Sequence, residues 1–205
     1  MKSLSLRDYS SQLNSALNSV DEKKIIELQK EIIKRIDGNG EIYLMGNGGS
    51  AANAHHVVGD YLKSFSLSKK HLKLNCLSDN TCYITAVAND LDYSKIYEIL
   101  VENRLDSNDL IIVLSGSGNS INLVKAIRAA KEKKIKTSGI IAYSGGALLD
   151  LLDIPIHVHI NDMEIAEDCQ LSIFHHLKQQ ILSKINFDSD ISPKYSKRIS
   201  DNLIA

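Results

Sequence analysis

Apolar residues recur at helical spacing from Leu6 through Tyr9, Leu13, Ala16 and Val20, and again after a break at Ile25, Leu28, Ile32 and Ile36. Two N-terminal helices are predicted. Ser19, with Glu22 three residues later, has the pattern of a capping box for the second, and Gly38 is placed to end it. After Gly40 the period changes. Short β-rich runs at 42–45, 72–77, 110–114, 137–142 and 154–159 alternate with helical stretches near 51–64, 93–104, 120–133, 147–152 and 164–185. Five strands separated by helices predict an α/β fold, a three-layer αβα sandwich around a parallel sheet. The expected organisation is a helical pair over 1–38, an α/β domain over 39–187 and a tail of little periodicity over 188–205.

Composition removes several classes of function. With 43% hydrophobic and 24% charged residues, disorder is excluded. The 24 Lys and Arg against 25 Asp and Glu leave a net charge of -1, with no basic excess for a nucleic-acid backbone. No apolar run reaches the roughly 18 residues of a membrane span, and the first residues lack a signal core, so a cytoplasmic protein is expected. Cys76, Cys82 and Cys169 are odd in number and lack C-x-x-C spacing, which predicts reduced, buried thiols.

In an open parallel sheet, ligands bind beyond the carboxyl ends of the strands where the winding reverses. The first strand runs into Gly46-Asn47-Gly48-Gly49-Ser50 and an Ala-rich helix start. Small residues there let backbone N–H groups approach an anion at a helix N-terminus. The string also fits a relaxed dinucleotide fingerprint, but it lacks the GK[ST] ending of a nucleotide phosphate loop. The third strand runs into a second such loop, Ser115-Gly116-Ser117-Gly118-Asn119-Ser120. Three hydroxyls at one helix start can surround a phosphate monoester, whereas a dinucleotide needs chiefly one glycine loop, so a phosphosugar is preferred over NAD.

MGNGGSAANAHH, SDNTCYITAVAND, LSGSGNSINLVKAI and NDMEIAEDCQLSIFHHL occur in an order that resembles the SIS-domain (sugar isomerase) family, and within it the phosphoheptose isomerases, over about residues 6–185. The resemblance implies a flavodoxin-like SIS fold and interconversion of sedoheptulose 7-phosphate and D-glycero-D-manno-heptose 7-phosphate, for bacterial surface-polysaccharide heptose. It also implies a homotetramer with active sites at subunit interfaces. The family's sugar-phosphate contacts fall on Asn47, Gly48, Gly49 and Ser50, on Asn89 and Asp90 in an expected loop after strand two, and on Ser115, Gly116, Ser117 and Ser120.

His56 and Asp60 stand i, i+4 on one helix, a metal-ligand spacing. By resemblance, Glu167 and His175 complete a set suited to Zn²⁺, with Glu167 also near substrate. Eight residues along a helix advance about 12 Å, so one straight helix does not bring Glu167 and His175 to a single ion, and a site composed from more than one chain is expected. Asp60 and Glu167 stand where the commonest family pattern has Glu and Gln. Aldose–ketose interconversion needs a proton moved between adjacent carbons and a second group for the hydroxyl proton. The implied assignment is Asp60 as base, Glu167 as its substitute and His175 as acid. His157 and His159 are expected to be structural, His55 and His176 to face solvent or a neighbour, and Asp168 to orient a ligand or sit on the helix surface. The alternatives are a non-catalytic SIS protein that senses a phosphosugar or binds a replication initiator, and an isomerase of another phosphosugar. Retention of His56 and His175 argues against the first.

Overall fold

The computed structural model describes residues 4–66, 71–185 and 197. The expected tail lies, except for residue 197, outside the described residues. Helices α1 (Leu6–Asn18) and α2 (Glu22–Asp37) precede strand β1 (Ile42–Gly46), followed by α3 (Gly48–Phe65), β2 (Leu74–Cys76) and α4 (Thr81–Asp90). Then come α5 (Glu98–Arg104), β3 (Leu110–Ser115), α6 (Ile121–Glu132), β4 (Lys136–Ile141), α7 (Gly146–Leu151), β5 (Ile154–His157) and α8 (Met163–Lys184). The five strands form one parallel sheet in the order β2-β1-β3-β4-β5, as the alternation predicted.

Both faces of the sheet are covered, which is why β1 and β3 are buried at every position and, up to the terminal Ser115, do not alternate with polar residues. Ile42, Leu44, Leu110, Ile112 and Ile140 point to a core shared with Leu28 and Ile32 of α2, Val57 of α3 and Phe174 of α8. Tyr43, Met45, Ile111, Val113 and Ile141 point the opposite way, to Tyr97, Val101, Ile127 and Leu148. Arg35 secures α2 from within. It is buried, pairs with Glu31, and donates from Nε to the Asn108 carbonyl and from Nη2 to that of Asp109, each at 3.1 Å.

Several local expectations are corrected. Ser19 is helical (φ -80°, ψ -11°) and ends α1, while extended Asp21 caps α2 by accepting the Lys23 N–H at 2.9 Å. A helix N-cap needs extended backbone, so the box fails at Ser19. The segment TCYITAVAND is α4, capped by Asn80 accepting from Tyr83 N–H at 3.0 Å. Its apolar side chains are only half-buried, which left the helical period faint in sequence. The predicted helix at 93–104 divides into a 3₁₀ turn at Tyr93–Lys95 and α5. Cys76 and Cys169 are buried and free, but Cys82 is exposed on α4.

Register then positions the site. Gly46 pairs with Leu114, so the chain leaves β1 and β3 at one level, toward α3 and α6, where the winding reverses. No described helix is long and apolar enough to cross a membrane.

Candidate active site

A cavity of about 270 Å³ opens at this point of divergence. Asn47, Gly48, Gly49 and Ser50 line one side, and Ser115, Gly116, Ser117 and Ser120 the other, with Met163 and Glu167 of α8 across the mouth. Helix α3 begins at Gly48, three residues earlier than expected, so the glycines form its first turn. A helix N-terminus leaves first-turn N–H groups without intrahelical partners, although that of Leu123 in α6 is taken by the Ser120 carbonyl and Asn122 Oδ1, and the two helix dipoles favour negative charge.

The polar side chains here divide between building and binding. Asn47 and Asn122 exchange amide hydrogen bonds at 2.9 Å in each direction, and Asn47 Oδ1 also accepts from the Tyr93 hydroxyl at 3.0 Å. One N–H of Asn47 remains for a ligand. Ser50 Oγ is buried and accepts from Gln170 Nε2 at 3.1 Å. Gln170 Oε1 accepts from Asn53 Nδ2 at 3.0 Å, which ties α3 to α8. Ser115 Oγ accepts the Gly118 N–H at 3.0 Å and Ser117 Oγ that of Asn119 at 3.3 Å, so both shape their loop. Ser120 caps α6 by backbone alone, and its hydroxyl makes no cap bond. Gly118 has φ +66°, and a Cβ there would stand 1.9 Å from the Gly145 carbonyl oxygen.

Glu167 reaches into this cavity. Its carboxylate lies against Gly49, where a Cβ would meet Oε2 at 2.2 Å. Burial pushes its carboxyl above the usual carboxylate range, helped by the charges of Glu164 and Asp168 and opposed by the Ser50 amide.

About two turns further along α3 and α8 lies a second group. His56, Asp60 and His175 place ligand atoms within 4.8 Å of one another. The two Nε2 atoms are 3.2 Å apart, with the rings at 72°. Ligands bound at about 2.0–2.1 Å in a tetrahedron stand roughly 3.3 Å apart, so the two nitrogens have the spacing of a divalent ion's ligands, with the carboxylate oxygen within 4.8 Å. Glu167 is outside this group. Both histidines are exposed, and Asp60 pairs with Lys178.

Asn89 and Asp90 are not brought to the cavity by this chain. They end helix α4 instead of lying in a loop, exposed, with Asn89 Nδ2 donating to Asp90 Oδ1 at 2.7 Å. Asp168 accepts from the Tyr9 hydroxyl at 2.7 Å, pinning α1 to α8 and pushing the Tyr9 hydroxyl up to about 12, with burial the largest cause. His157 donates from Nε2 to the Tyr143 carbonyl at 2.9 Å and packs on His159, with ring centroids 4.1 Å apart. His55 is exposed and within 3.2 Å of Ser78 Oγ, and His176 is exposed. Sequence analysis missed Asn122, Gln170 and Lys178. The first two carried a signal, since each is a polar residue on the apolar face of its helix.

Residues 7–142 match the family model of the SIS domain. The chain is 32% identical over 151 residues to the phosphoheptose isomerase of Trichlorobacter lovleyi, covering 74% of this chain and 77% of the relative. It is 30% identical over 174 residues to that of Thermodesulfovibrio yellowstonii, covering 85% and 86%. Among solved structures, the phosphoheptose isomerase of Francisella tularensis superposes with a TM-score of 0.79 at 24% identity over 85% of this chain and 93% of its own. That of Neisseria gonorrhoeae does so with 0.79 at 22% over 86% and 94%. With a parallel sheet of matching architecture and a cavity where β1 and β3 part, the chain belongs to the SIS domain family.

Proposed function

We propose that this chain is a phosphoheptose isomerase, interconverting sedoheptulose 7-phosphate and D-glycero-D-manno-heptose 7-phosphate through an enediol(ate), for bacterial surface-polysaccharide heptose. One observation carries the proposal. An amide- and hydroxyl-lined anion cavity and a group of two imidazoles and a carboxylate sit on the same two helices, α3 and α8. The relatives named above carry the same activity in their names.

The phosphate is held by the first-turn amides of α3 and α6, the free N–H of Asn47 and the Ser120 hydroxyl. Asp60 takes the proton next to the carbonyl and returns it to the adjacent carbon, with Glu167 as its substitute from the cavity side. His175 moves the hydroxyl proton. His56, Asp60 and His175 would hold a Zn²⁺ ion, which would supply Lewis-acid polarisation of the sugar's oxygens.

Assembly as a homotetramer with active sites at subunit interfaces accounts for the exposure of His56 and His175, and for Asn89 and Asp90 standing away from the cavity of their own chain. We place the protein in the cytoplasm, with its phosphorylated substrate. Incubation with sedoheptulose 7-phosphate, with and without a chelator, followed by NMR of the aldose product, tests the activity. Turnover that the chelator suppresses is expected, and no turnover with zinc supplied overturns the proposal. Light scattering of the purified chain reads the tetramer directly.

A further inference from the structure

Asp60 does not face the imidazoles alone. Lys178, three residues past His175 on α8, donates from Nζ to Asp60 Oδ2. Residues three apart on a helix project from one side, so α8 presents an imidazole and an ammonium together to α3. The pair is also well shielded, with 17% of the Lys178 side chain and 24% of the Asp60 side chain exposed. Shielding matters because an ion pair in open water is screened to almost nothing, whereas one packed between two helices keeps much of its attraction.

Within the group of His56, Asp60 and His175, the carboxylate is the only anionic donor. A divalent ion bound there shares that carboxylate with an ammonium already seated on it, and is repelled by the ammonium's charge.

We propose that Lys178 is a positioning residue that competes for the Asp60 carboxylate and so holds down the affinity of this group for divalent cations. It fixes the short Asp60 side chain against α8 and leaves the bound ion exchangeable. The inference rests on the metal reading of this group.

The experiment uses the full chain, stripped of metal, with Zn²⁺ affinity read by competition against a chromophoric chelator. Lys178→Met and Lys178→Gln, which keep most of the length and remove the charge, are expected to bind zinc roughly tenfold tighter or more, while Lys178→Arg stays near the parent chain. Two neutral variants guard against one that fails to fold, as judged by circular dichroism. Zinc binding that is lost in His56→Ala yet indifferent to both neutral variants overturns the inference and leaves the metal reading standing. Binding that survives unchanged in His56→Ala, or is absent from every chain, overturns the metal reading and the inference with it.

Discussion

Asn47 and Asn122 hold α3 and α6 together by a reciprocal pair of side-chain amide bonds, 2.9 Å each way, between the N-cap of α3 and the first turn of α6. Asn122 is 1% exposed, whereas Asn47 is half-buried at the cavity. Asn122→Ala removes both amide bonds, and is expected to lower stability by about 1–3 kcal/mol. Loosening two loops that grip one phosphate raises KM, roughly tenfold, with a smaller effect on kcat. Steady-state kinetics beside a denaturant titration check both, and an unchanged KM sinks the assignment.

His56 and His175 are exposed, so truncation removes chemistry without opening a core. His56→Ala and His175→Ala are expected to abolish turnover while shifting stability by no more than about 0.5 kcal/mol. Near-normal rates in both variants contradict the roles given to them.

Glu167 links the fold to pH. Its carboxyl is raised above 4.5, first by burial and then by Glu164, so the folded chain favours its protonated form. Its contribution is fully present below pH 4.5 and is lost as pH climbs through the raised value. Glu167→Gln stays neutral, and its stability advantage over the parent chain therefore widens on going upward from pH 4.5. Melting temperatures across that interval measure the gap, and a constant difference refutes the coupling.

Gly49 and Gly118 make opposite demands. At Gly49 an added methyl meets the flexible end of Glu167, so Gly49→Ala displaces the carboxylate with little loss of stability. At Gly118 the backbone is left-handed and the Gly145 carbonyl blocks the space, so Gly118→Ala costs more than about 2 kcal/mol. Thermal melts of the two variants side by side decide this, and equal losses contradict it.

Periodicity and loop chemistry were enough to place every helix but α4, the five-stranded parallel sheet and both glycine–serine loops in the sequence. These features depend on short-range spacing, and strands buried on both faces, such as Ile42–Gly46 and Leu110–Ser115, announce themselves as continuous apolar runs. Helix α4 escaped because its apolar side chains are only half-buried, and the Ser19 cap failed because one residue's backbone angle decides it. Tertiary structure alone decided which polar residues meet. Asn122 on Asn47, Gln170 on Ser50 and Lys178 on Asp60 join positions 75, 120 and 118 residues apart. No local pattern encodes such pairs, since they exist only once α3, α6 and α8 have docked on their faces of the sheet.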